Sequence, residues 1–186
     1  MKYVETSLPG VIAIEIEPVR DSRGFFARTW CEKEFAERGL QTELSQAGIA
    51  FNRLRGTIRG LHFQRAPFEE VKIVRCTAGA ILDVAVDIRP ESPTYLQHVA
   101  VELSAGNRSS LYIPEGFAHG YQTLEDATEV TYWISQPYAP ECAAGIRWND
   151  AALGVRWPLE TTEISERDRN LPTVEEYAAN VRCDRA

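Results

Sequence analysis

Apolar and polar residues alternate along much of this chain. Ile12, Ile14 and Ile16 alternate with an alanine and two glutamates, which is the period-two pattern of a half-buried β-strand. The same β character returns after residue 56, in segments that turn-forming residues separate. We predict strands over Thr57–Gln64, Val71–Cys76, Ala80–Ile88, Leu96–Leu103, Ser109–Ile113, His119–Thr123 and Glu129–Ile134. Many short strands at this spacing predict a mainly β sandwich or barrel.

Helical patterns flank this β-rich region. The segment from Cys31 to Arg38 predicts a short helix that Gly39 ends. Thr173-Val174-Glu175-Glu176 has the pattern of a capping box and predicts a helix that runs to about Arg182. The sequence contains no linker, repeat or low-complexity tract. We therefore predict one β-rich domain over residues 1–186, with short helices at its ends.

Composition and charge narrow the range of partners. Of the 186 residues, 44% are hydrophobic, which suits a globular protein with a real core. The net charge of −7 and the lack of a basic run argue against a nucleic-acid partner. A few local arginines can still bind the phosphate groups of a small ligand. No stretch approaches the roughly 18 apolar residues that a membrane span needs, so no membrane partner is expected.

The cysteines and the first residues bear on location. Cysteines stand at positions 31, 76, 142 and 183, without the close spacing of a metal or redox motif. The opening Met1-Lys2-Tyr3-Val4-Glu5-Thr6 lacks the apolar core of a secretory signal. Free thiols in a cytoplasmic protein are the expectation.

Histidine is rare here, and His62 has unusual neighbours. It lies in a predicted strand, where a lone histidine is ordinarily a hydrogen-bonded part of the wall. Arg59, Gln64 and Lys72 lie close to it on two adjacent predicted strands, which favours a functional interpretation. An ideal strand would place Arg59 and His62 on opposite faces. A bulge would turn both inward, and Gly60 between them is a residue that can support one.

Two charged residues sit inside apolar strand patterns. Lys72 shares one face of its strand with Val74 and Cys76. If that face is interior, the ammonium needs a partner, because an unpaired buried charge costs several kcal/mol. Asp83 lies inside another apolar strand and is the partner we predict. The alternative, equally open at this point, is that both side chains point to solvent.

Two tyrosines are further candidates. Tyr132 lies in the apolar strand pattern Val130–Ile134, where a tyrosine is commonly a packed core residue. Tyr138 follows in a proline-bounded loop. A loop tyrosine can cover a planar ligand, although most such residues are plain surface.

Metal binding is the obvious competitor for histidines in a β-barrel. The run Pro114-Glu115-Gly116-Phe117-Ala118-His119 matches half of the cupin metal signature. The other half needs a second histidine where His62-Phe63-Gln64 has glutamine, and His98 has no ligand spacing to the others. Two histidines without a positioned carboxylate make a poor site, so we expect no metal. Nucleophile-elbow, dinucleotide and P-loop motifs are also absent, and no cofactor is expected.

The chain resembles the dTDP-4-dehydrorhamnose 3,5-epimerase family in many motifs that occur in one order over nearly its whole length. These are Asp21–Phe26, Gly56–Gln64, Val71–Arg75, Asp83–Arg89, Ser92–Thr94, Tyr112–Pro114, Gly116–Gly120, Trp148–Asp150, Trp157-Pro158 and Ile164–Asp168. One such match would be weak, but the ordered set is specific.

The resemblance implies a cupin-type jelly roll, ordinarily a homodimer, that acts on a nucleotide-linked 4-keto-6-deoxyhexose without metal or cofactor. It implies that His62 is the general base and that Asp168 pairs with it. Lys72 matches the lysine near the C4 carbonyl, and Tyr132 matches the acid. A further set falls where the family contacts the sugar, the diphosphate or the base: Arg23, Phe26, Gln46, Arg59, His119 and Tyr138.

The implied chemistry suits these side chains. A C4 ketone acidifies the hydrogens on C3 and C5, and removal of either gives an enolate whose oxygen needs a positioned cation such as Lys72. A histidine oriented by a carboxylate is a suitable base near neutral pH. Inversion returns the proton on the opposite face of the ring, so a second group is needed there, and Tyr132 suits that role.

Three departures from the family pattern affect the surroundings of these residues. Arg28 stands where glutamate is common, Trp133 replaces a frequent lysine, and the segment 46–53 differs and is one residue longer. Epimerisation at C3 and C5 is the predicted activity, which makes the protein an isomerase. The alternatives are epimerisation at C3 alone on a different ketosugar and a non-catalytic sugar-binding cupin.

Overall fold

The protein folds mainly into β-strands, and the computed structural model describes residues 1–183. The strands are β1 (Lys2–Glu5), β2 (Ile12–Glu15), β3 (Val19–Asp21), β4 (Gly24–Phe26), β5 (Gln46–Asn52), β6 (Ile58–Gln64), β7 (Lys72–Ala78), β8 (Ala80–Asp87), β9 (His98–Ser104), β10 (Ser110–Ile113), β11 (Phe117–Thr123), β12 (Thr128–Ile134) and β13 (Ala143–Gly145). The helices are α1 (Glu32–Ala36), α2 (Glu166–Arg169) and α3 (Val174–Cys183), with a 3-10 turn at Ala151–Leu153.

Two antiparallel sheets carry most of these strands. The six-stranded sheet has the order β1-β2-β10-β7-β12-β5, and the five-stranded sheet has the order β13-β6-β11-β8-β9. The β3–β4 hairpin belongs to neither sheet. Neighbours in both sheets are often distant in sequence, so the sandwich depends on long-range pairing rather than on local hairpins.

The hydrophobic core lies between the sheets. Val74 and Leu111 of the six-stranded sheet belong to the same buried cluster as Ile81, Leu103 and Phe117 of the other sheet. Smaller clusters cover the outer faces. Phe35 of α1 packs on the outside of the six-stranded sheet, while residues of α3 pack on the outside of the five-stranded sheet.

The register between β6 and β11 shifts in the stretch that carries His62. His119 pairs with His62 and Tyr121 pairs with Arg59, with an irregularity between these two pairs. Arg59 and His62 consequently both face the interior of the sandwich, where they line one cavity. A bulge of the kind that Gly60 can support is therefore present, and the shift cancels the alternation that would have separated the two side chains.

The predicted strands are present, with ends that differ by at most two residues. Five strands were missed: β1, β3, β4, β13, and above all β5, whose pattern Gln-Ala-Gly-Ile-Ala-Phe-Asn contains a glycine and few β-branched residues. The predicted first helix is shorter, at Glu32–Ala36. The Thr173 capping box is confirmed, since the Thr173 hydroxyl accepts from the Glu176 amide at 3.2 Å and the Glu176 carboxylate accepts from the Thr173 amide at 2.7 Å.

Among the described residues, no helix has both the length and the apolar content to cross a membrane.

Gly60 supports a first prediction, because this glycine has no room for a side chain. Its φ is +125°, and an added Cβ would lie 2.5 Å from the Gly120 Cα and 2.8 Å from the His119 carbonyl oxygen. Both neighbours are backbone atoms and cannot rotate away. We expect Gly60→Ala to lower the free energy of unfolding by about 2–4 kcal/mol.

The measurement is urea denaturation at a fixed protein concentration. Gly106→Ala is the matched control, because Gly106 has no positive φ. A Cβ added there would have the Ser104 hydroxyl oxygen, at 3.6 Å, as its nearest neighbour. We expect the control to change stability by less than about 0.5 kcal/mol. Equal stability of the two variants would contradict the tight packing inferred at Gly60.

Candidate active site

A cavity of about 820 Å³ lies between the two sheets, a size that suits a small organic ligand. Both sheets and the segment that contains α2 supply its walls. Eight of the ten side chains predicted from the sequence line it: Gln46, Arg59, His62, Lys72, His119, Tyr132, Tyr138 and Asp168.

Arg23 and Phe26 are the two predicted residues that do not line this cavity. Both belong to the β3–β4 hairpin, and the Phe26 side chain is 73% exposed. The Arg23 guanidinium forms an ion pair with Asp21 at 2.5 Å. Within one chain, the hairpin therefore does not contribute to the cavity.

His62 is oriented by Asp168. The His62 Nε2 lies 2.7 Å from Asp168 Oδ1, and the other oxygen of this carboxylate accepts from the Gly60 amide at 3.1 Å. The two residues meet because the segment before α2 runs beside β6, where the Ile58 amide donates to the Glu163 carbonyl at 2.8 Å. Ser165 caps α2 by accepting from the Asp168 amide at 3.0 Å. One carboxylate thus holds both the histidine and the backbone bend next to it.

The charge of Asp168 determines which nitrogen of His62 is basic. Burial works to raise the pKa of Asp168, but the hydrogen bond and charge of His62, with donors from Gly60 and Ser165, outweigh it and hold the pKa below its ordinary value. The side chain is therefore a carboxylate and can only accept. His62 must donate from Nε2, so in the neutral ring the lone pair is on Nδ1.

Lys72 faces the cavity as predicted, but its predicted partner was wrong. The Lys72 Nζ forms an ion pair with Glu70 at 3.1 Å and donates to the His62 carbonyl at 3.1 Å. Asp83 lies on β8 of the other sheet, and its carboxylate bonds His119 instead. Glu70 and Lys72 are two residues apart and share one face, which makes the nearer carboxylate the partner.

His119 and Asp83 form a second histidine–carboxylate pair. The His119 Nε2 lies 2.7 Å from Asp83 Oδ1, and Asp83 is fully buried. The two are diagonal neighbours on β11 and β8, since His119 pairs with Ala85 and Tyr121 pairs with Asp83. This second ring is much less exposed than His62, so the two histidines differ in access to a ligand.

Arg59 is held by a buried amide rather than by a carboxylate. Its Nε donates to Asn52 Oδ1 at 2.7 Å, and an outer nitrogen donates to the Phe51 carbonyl at 3.2 Å. Asn52 in turn donates to the Thr128 carbonyl at 3.2 Å and to the Tyr121 hydroxyl at 3.3 Å. Because this partner is neutral, it does not offset the positive charge of the guanidinium. The charge therefore suits an anionic group of a ligand.

Tyr132 lies on the cavity face of β12, directly across from Gly48 of β5. A Cβ added at Gly48 would lie 2.7 Å from both Cζ and the hydroxyl oxygen of Tyr132, so the phenol occupies the space that a side chain at position 48 would fill. The altered segment after Gln46 is therefore coupled to the position of this tyrosine. The neighbouring Trp133 packs with the outer cluster around Phe35.

Two glutamines hold the loop at the rim of the cavity. The Gln46 Oε1 accepts from the Tyr138 amide at 2.5 Å, and Gln64 Oε1 accepts from the Ala139 amide at 2.6 Å. The Gln64 Nε2 donates to the Pro137 carbonyl at 3.2 Å. Tyr138 is thereby fixed at the opening, with its ring half exposed.

Several residues of the cavity wall were missed from the sequence. Glu70, Arg167 and Arg169 line the cavity, and Asn52 fixes Arg59. The alternation Glu70-Val71-Lys72 was the available signal for Glu70, because it places two opposite charges on one face. For Asn52 no local signal existed, since its partners are up to 76 residues away.

Within the described part of the chain, no group of three or more His, Cys, Asp and Glu side chains is arranged to hold a metal ion.

The fold and the site together define a cupin-like jelly roll whose cavity presents a carboxylate-oriented histidine. The sequence model of dTDP-4-dehydrorhamnose 3,5-epimerase matches residues 5–176. The dTDP-4-dehydrorhamnose 3,5-epimerase of Methanothermobacter thermautotrophicus is 45% identical over 172 residues, which cover 91% of this chain and 92% of that protein. The chain belongs to the dTDP-4-dehydrorhamnose 3,5-epimerase family, and epimerases are isomerases.

Solved structures agree with this assignment. The epimerase of Legionella pneumophila in complex with dTDP-4-keto-L-rhamnose superimposes with a TM-score of 0.90 at 33% identity, over 97% of this chain and 96% of that one. A 3'-monoepimerase from Streptomyces bikiniensis in complex with dTDP-quinovose gives a TM-score of 0.89 at 28% identity, over 96% and 90% of the two chains. The predicted cupin-type jelly roll is confirmed by these similarities.

The lowered pKa of Asp168 generates a prediction about stability. A carboxyl group whose folded pKa lies below its ordinary value of 3.8 stabilises the fold above that pH. That stabilisation is lost as the pH falls through the folded pKa. We expect Asp168→Asn to cost roughly 1–3 kcal/mol at neutral pH and the deficit to shrink below about pH 4.

Chemical denaturation of both proteins between neutral pH and about pH 2 measures this difference. Glu166→Gln is the matched control, because Glu166 lies exposed in the same helix. The control should show no deficit that depends on pH. A constant deficit for Asp168→Asn at all pH values would contradict the charge argument.

Proposed function

We propose that this protein epimerises C3 and C5 of a nucleotide-linked 4-keto-6-deoxyhexose. The reaction is of the type that converts dTDP-4-dehydro-6-deoxyglucose to dTDP-4-dehydrorhamnose. The family assignment supports this activity, and so does the chemistry of the cavity. The roles of the individual side chains are part of the proposal. They combine the family resemblance with the contacts described above.

One observation carries the proposal. The oriented histidine and the candidate acid come from opposite walls of one cavity. His62 projects from β6 of the five-stranded sheet, and Tyr132 projects from β12 of the six-stranded sheet. A sugar ring held between the sheets would have a base on one face and an acid on the other. That is what inversion of a carbon centre requires.

The reaction starts with His62. Its Nδ1 removes the hydrogen from C3 or C5, and the electron pair of that C–H bond forms the enolate double bond while the C4 oxygen gains negative charge. Asp168 keeps the ring aligned and stabilises the imidazolium that forms. No oxidant or reductant takes part, because the electrons stay within the sugar.

Lys72 and Tyr132 complete the cycle. The Lys72 ammonium stabilises the enolate oxygen, which is the position where charge develops. Tyr132 then delivers a proton to the opposite face of the same carbon, which inverts it. The tyrosine and the lysine lie close together on adjacent strands, because Tyr132 pairs with Val74 of β7, two residues from Lys72. A nearby ammonium favours the phenolate that is left after proton transfer.

The nucleotide end of the substrate needs positive charge and a flat surface. Arg59 supplies a guanidinium with a neutral partner and is proposed to bind the diphosphate. Tyr138 lies at the rim, where its ring can cover the base. His119 and Gln46 complete the proposed contacts to the sugar and the diphosphate.

A second candidate function is epimerisation at C3 alone. The structural similarity to the Streptomyces bikiniensis 3'-monoepimerase favours keeping it, because that enzyme shares the fold. The first proton abstraction is the same in both reactions, so the two differ only in whether C5 also exchanges.

Solvent deuterium distinguishes these functions. We expect the protein, incubated with dTDP-4-keto-6-deoxyglucose in D2O, to place deuterium at both C3 and C5, as read by proton NMR. His62→Ala should reduce exchange at least about 100-fold, because it removes the general base, while nucleotide-sugar binding stays nearly intact. His98→Ala is the control, since His98 bonds the Leu153 carbonyl and does not line the cavity.

Each outcome of that experiment has a defined meaning. Deuterium at C3 alone would favour the mono-epimerase. Binding of the nucleotide sugar without exchange would favour a non-catalytic sugar-binding protein. Full exchange by His62→Ala would remove His62 from the role of base.

We further propose that the protein acts as a homodimer in which the hairpin of one protomer serves the cavity of the other. Large apolar side chains are exposed on the outer face of the six-stranded sheet, where Ile49 and Phe51 are more than half exposed. Across this face, Thr131 pairs with both Ile49 and Arg75. The Arg75 Nε is buried and has no hydrogen-bond partner among the described residues.

The hairpin is connected to the same face. Burial lowers the pKa of Arg75, and the positive charge of neighbouring Arg108 lowers it further. Arg108 in turn stacks on the hairpin's Phe25, at 4.9 Å from the ring centroid. Val19 and Phe26 of the hairpin are over 70% exposed, as expected of residues that a second copy would cover.

Mixing two impaired variants tests the exchange of hairpins. Arg23→Ala/Phe26→Ala should lose activity at low substrate, and His62→Ala should be inactive. A dimer with one chain of each type contains one cavity with His62 and an intact hairpin from its partner. After unfolding and refolding an equal mixture, we expect about a quarter of the wild-type activity per chain.

The control is the same mixture without refolding, which keeps the dimers unmixed. No gain after refolding would show that the hairpin serves its own chain or no cavity. Sedimentation of the wild-type protein as a monomer would overturn the dimer itself.

Cys31, Cys76 and Cys142 are free thiols, and the side chain of Cys183 lies outside the described residues. Unpaired cysteines suit a reducing compartment. We therefore propose that the protein works in the cytoplasm.

A further inference from the structure

We propose that Glu70 is a positioning residue that aims Lys72 at the C4 oxygen of the substrate. This inference rests on the proposed function. It concerns a carboxylate that the family resemblance did not point to, and it follows from how the hydrogen-bond donors of Lys72 are used.

Two of the three donors of the Lys72 ammonium are occupied within the protein. A lysine ammonium has three N–H donors. One meets Glu70 Oε1 at 3.1 Å and a second meets the His62 carbonyl at 3.1 Å. Within the described part of the chain, Lys72 Nζ has no third partner. One donor therefore remains for a ligand, and the two occupied ones fix its direction.

The segment that carries Glu70 is held on both sides. The Val71 amide donates to the Ser135 hydroxyl at 2.9 Å, and the Ser135 amide donates to the Val71 carbonyl at 3.1 Å. Val71 is itself buried, so Glu70 and Lys72 project into the cavity from an anchored backbone. An anchored carboxylate is a suitable reference point for a flexible four-carbon side chain.

Burial of the Glu70 side chain costs the fold free energy. Its side chain is 5% exposed, and its second oxygen, Oε2, is buried with no hydrogen-bond partner among the described residues. A buried ion pair that leaves one carboxylate oxygen without a hydrogen bond does not by itself indicate that the pair stabilises the fold. Buried polar atoms without a hydrogen-bond partner are expected at functional sites.

The contrast with Arg59 supports the assignment. Arg59, which also lines the cavity, is held by the neutral amide of Asn52. The Glu70 carboxylate holds the Lys72 side chain in place in the buried wall of the cavity. The lysine can then meet a charge that exists only during the reaction, whereas the arginine meets one that the substrate carries permanently.

The test compares Glu70→Ala and Glu70→Gln in the deuterium exchange and turnover assays. We expect Glu70→Ala to lower kcat by about 10–100-fold with KM within about threefold, because an enolate-directed donor is lost while ground-state binding remains. The affinity for dTDP should not change. Glu70→Gln should recover most of kcat, because the amide oxygen accepts the same hydrogen bond from Nζ.

Glu69→Gln is the matched control, since Glu69 is the exposed neighbour in the same segment. Circular dichroism and thermal melting establish that each variant is folded. If Glu70→Ala unfolds, Glu70→Gln still tests the claim, because it must then show wild-type-like KM and near wild-type kcat. A low kcat in folded Glu70→Gln, or an unchanged kcat in Glu70→Ala, would overturn the role.

Failure of the proposed function would look different. In that case the wild-type protein itself would not exchange deuterium into the ketosugar, and both proposals would fall. Failure of the Glu70 inference alone would show as an active wild type with an equally active Glu70→Ala.

Discussion

The hydrogen bond between His62 and Asp168 is the contact on which the rest of the site depends. It joins residues 106 positions apart, and the same carboxylate also accepts from the Gly60 amide, next to the register shift of β6. Without that shift, Arg59 and His62 would face opposite sides of the sheet. One buried charge thus fixes the tautomer of the histidine, the bend of the strand and the docking of the segment that carries α2.

The period-two pattern predicted most of the two sheets, because strands with one buried face show their alternation in the sequence. It missed β5 for a physical reason. The outward face of β5 carries Ile49 and Phe51, while its inward face carries Gln46 and Gly48. Apolar residues that face outward give no signal of a core, and a polar inward face belongs to a cavity rather than to packed interior.

The side chains of the site and the His62–Asp168 pair were predictable to the extent that the sequence resembles a family, whereas the other pairings were not. The Lys72–Asp83 pairing failed because an alternating pattern tells which face a residue takes and says nothing of which sheets meet. The Asn52–Arg59 contact depends on how β5 lies against β6, which only the folded chain reveals. Arg23 and Phe26 lie off the cavity because a hairpin outside both sheets carries them.

The position of Asp168 in the chain has a consequence for biosynthesis. Every strand in the described residues precedes it, since β13 ends at Gly145. A ribosome therefore completes the sequence of both sheets before it adds the carboxylate that orients His62. A nascent chain that stops short of α2 has the strands of both sheets but lacks the carboxylate that orients the His62 imidazole.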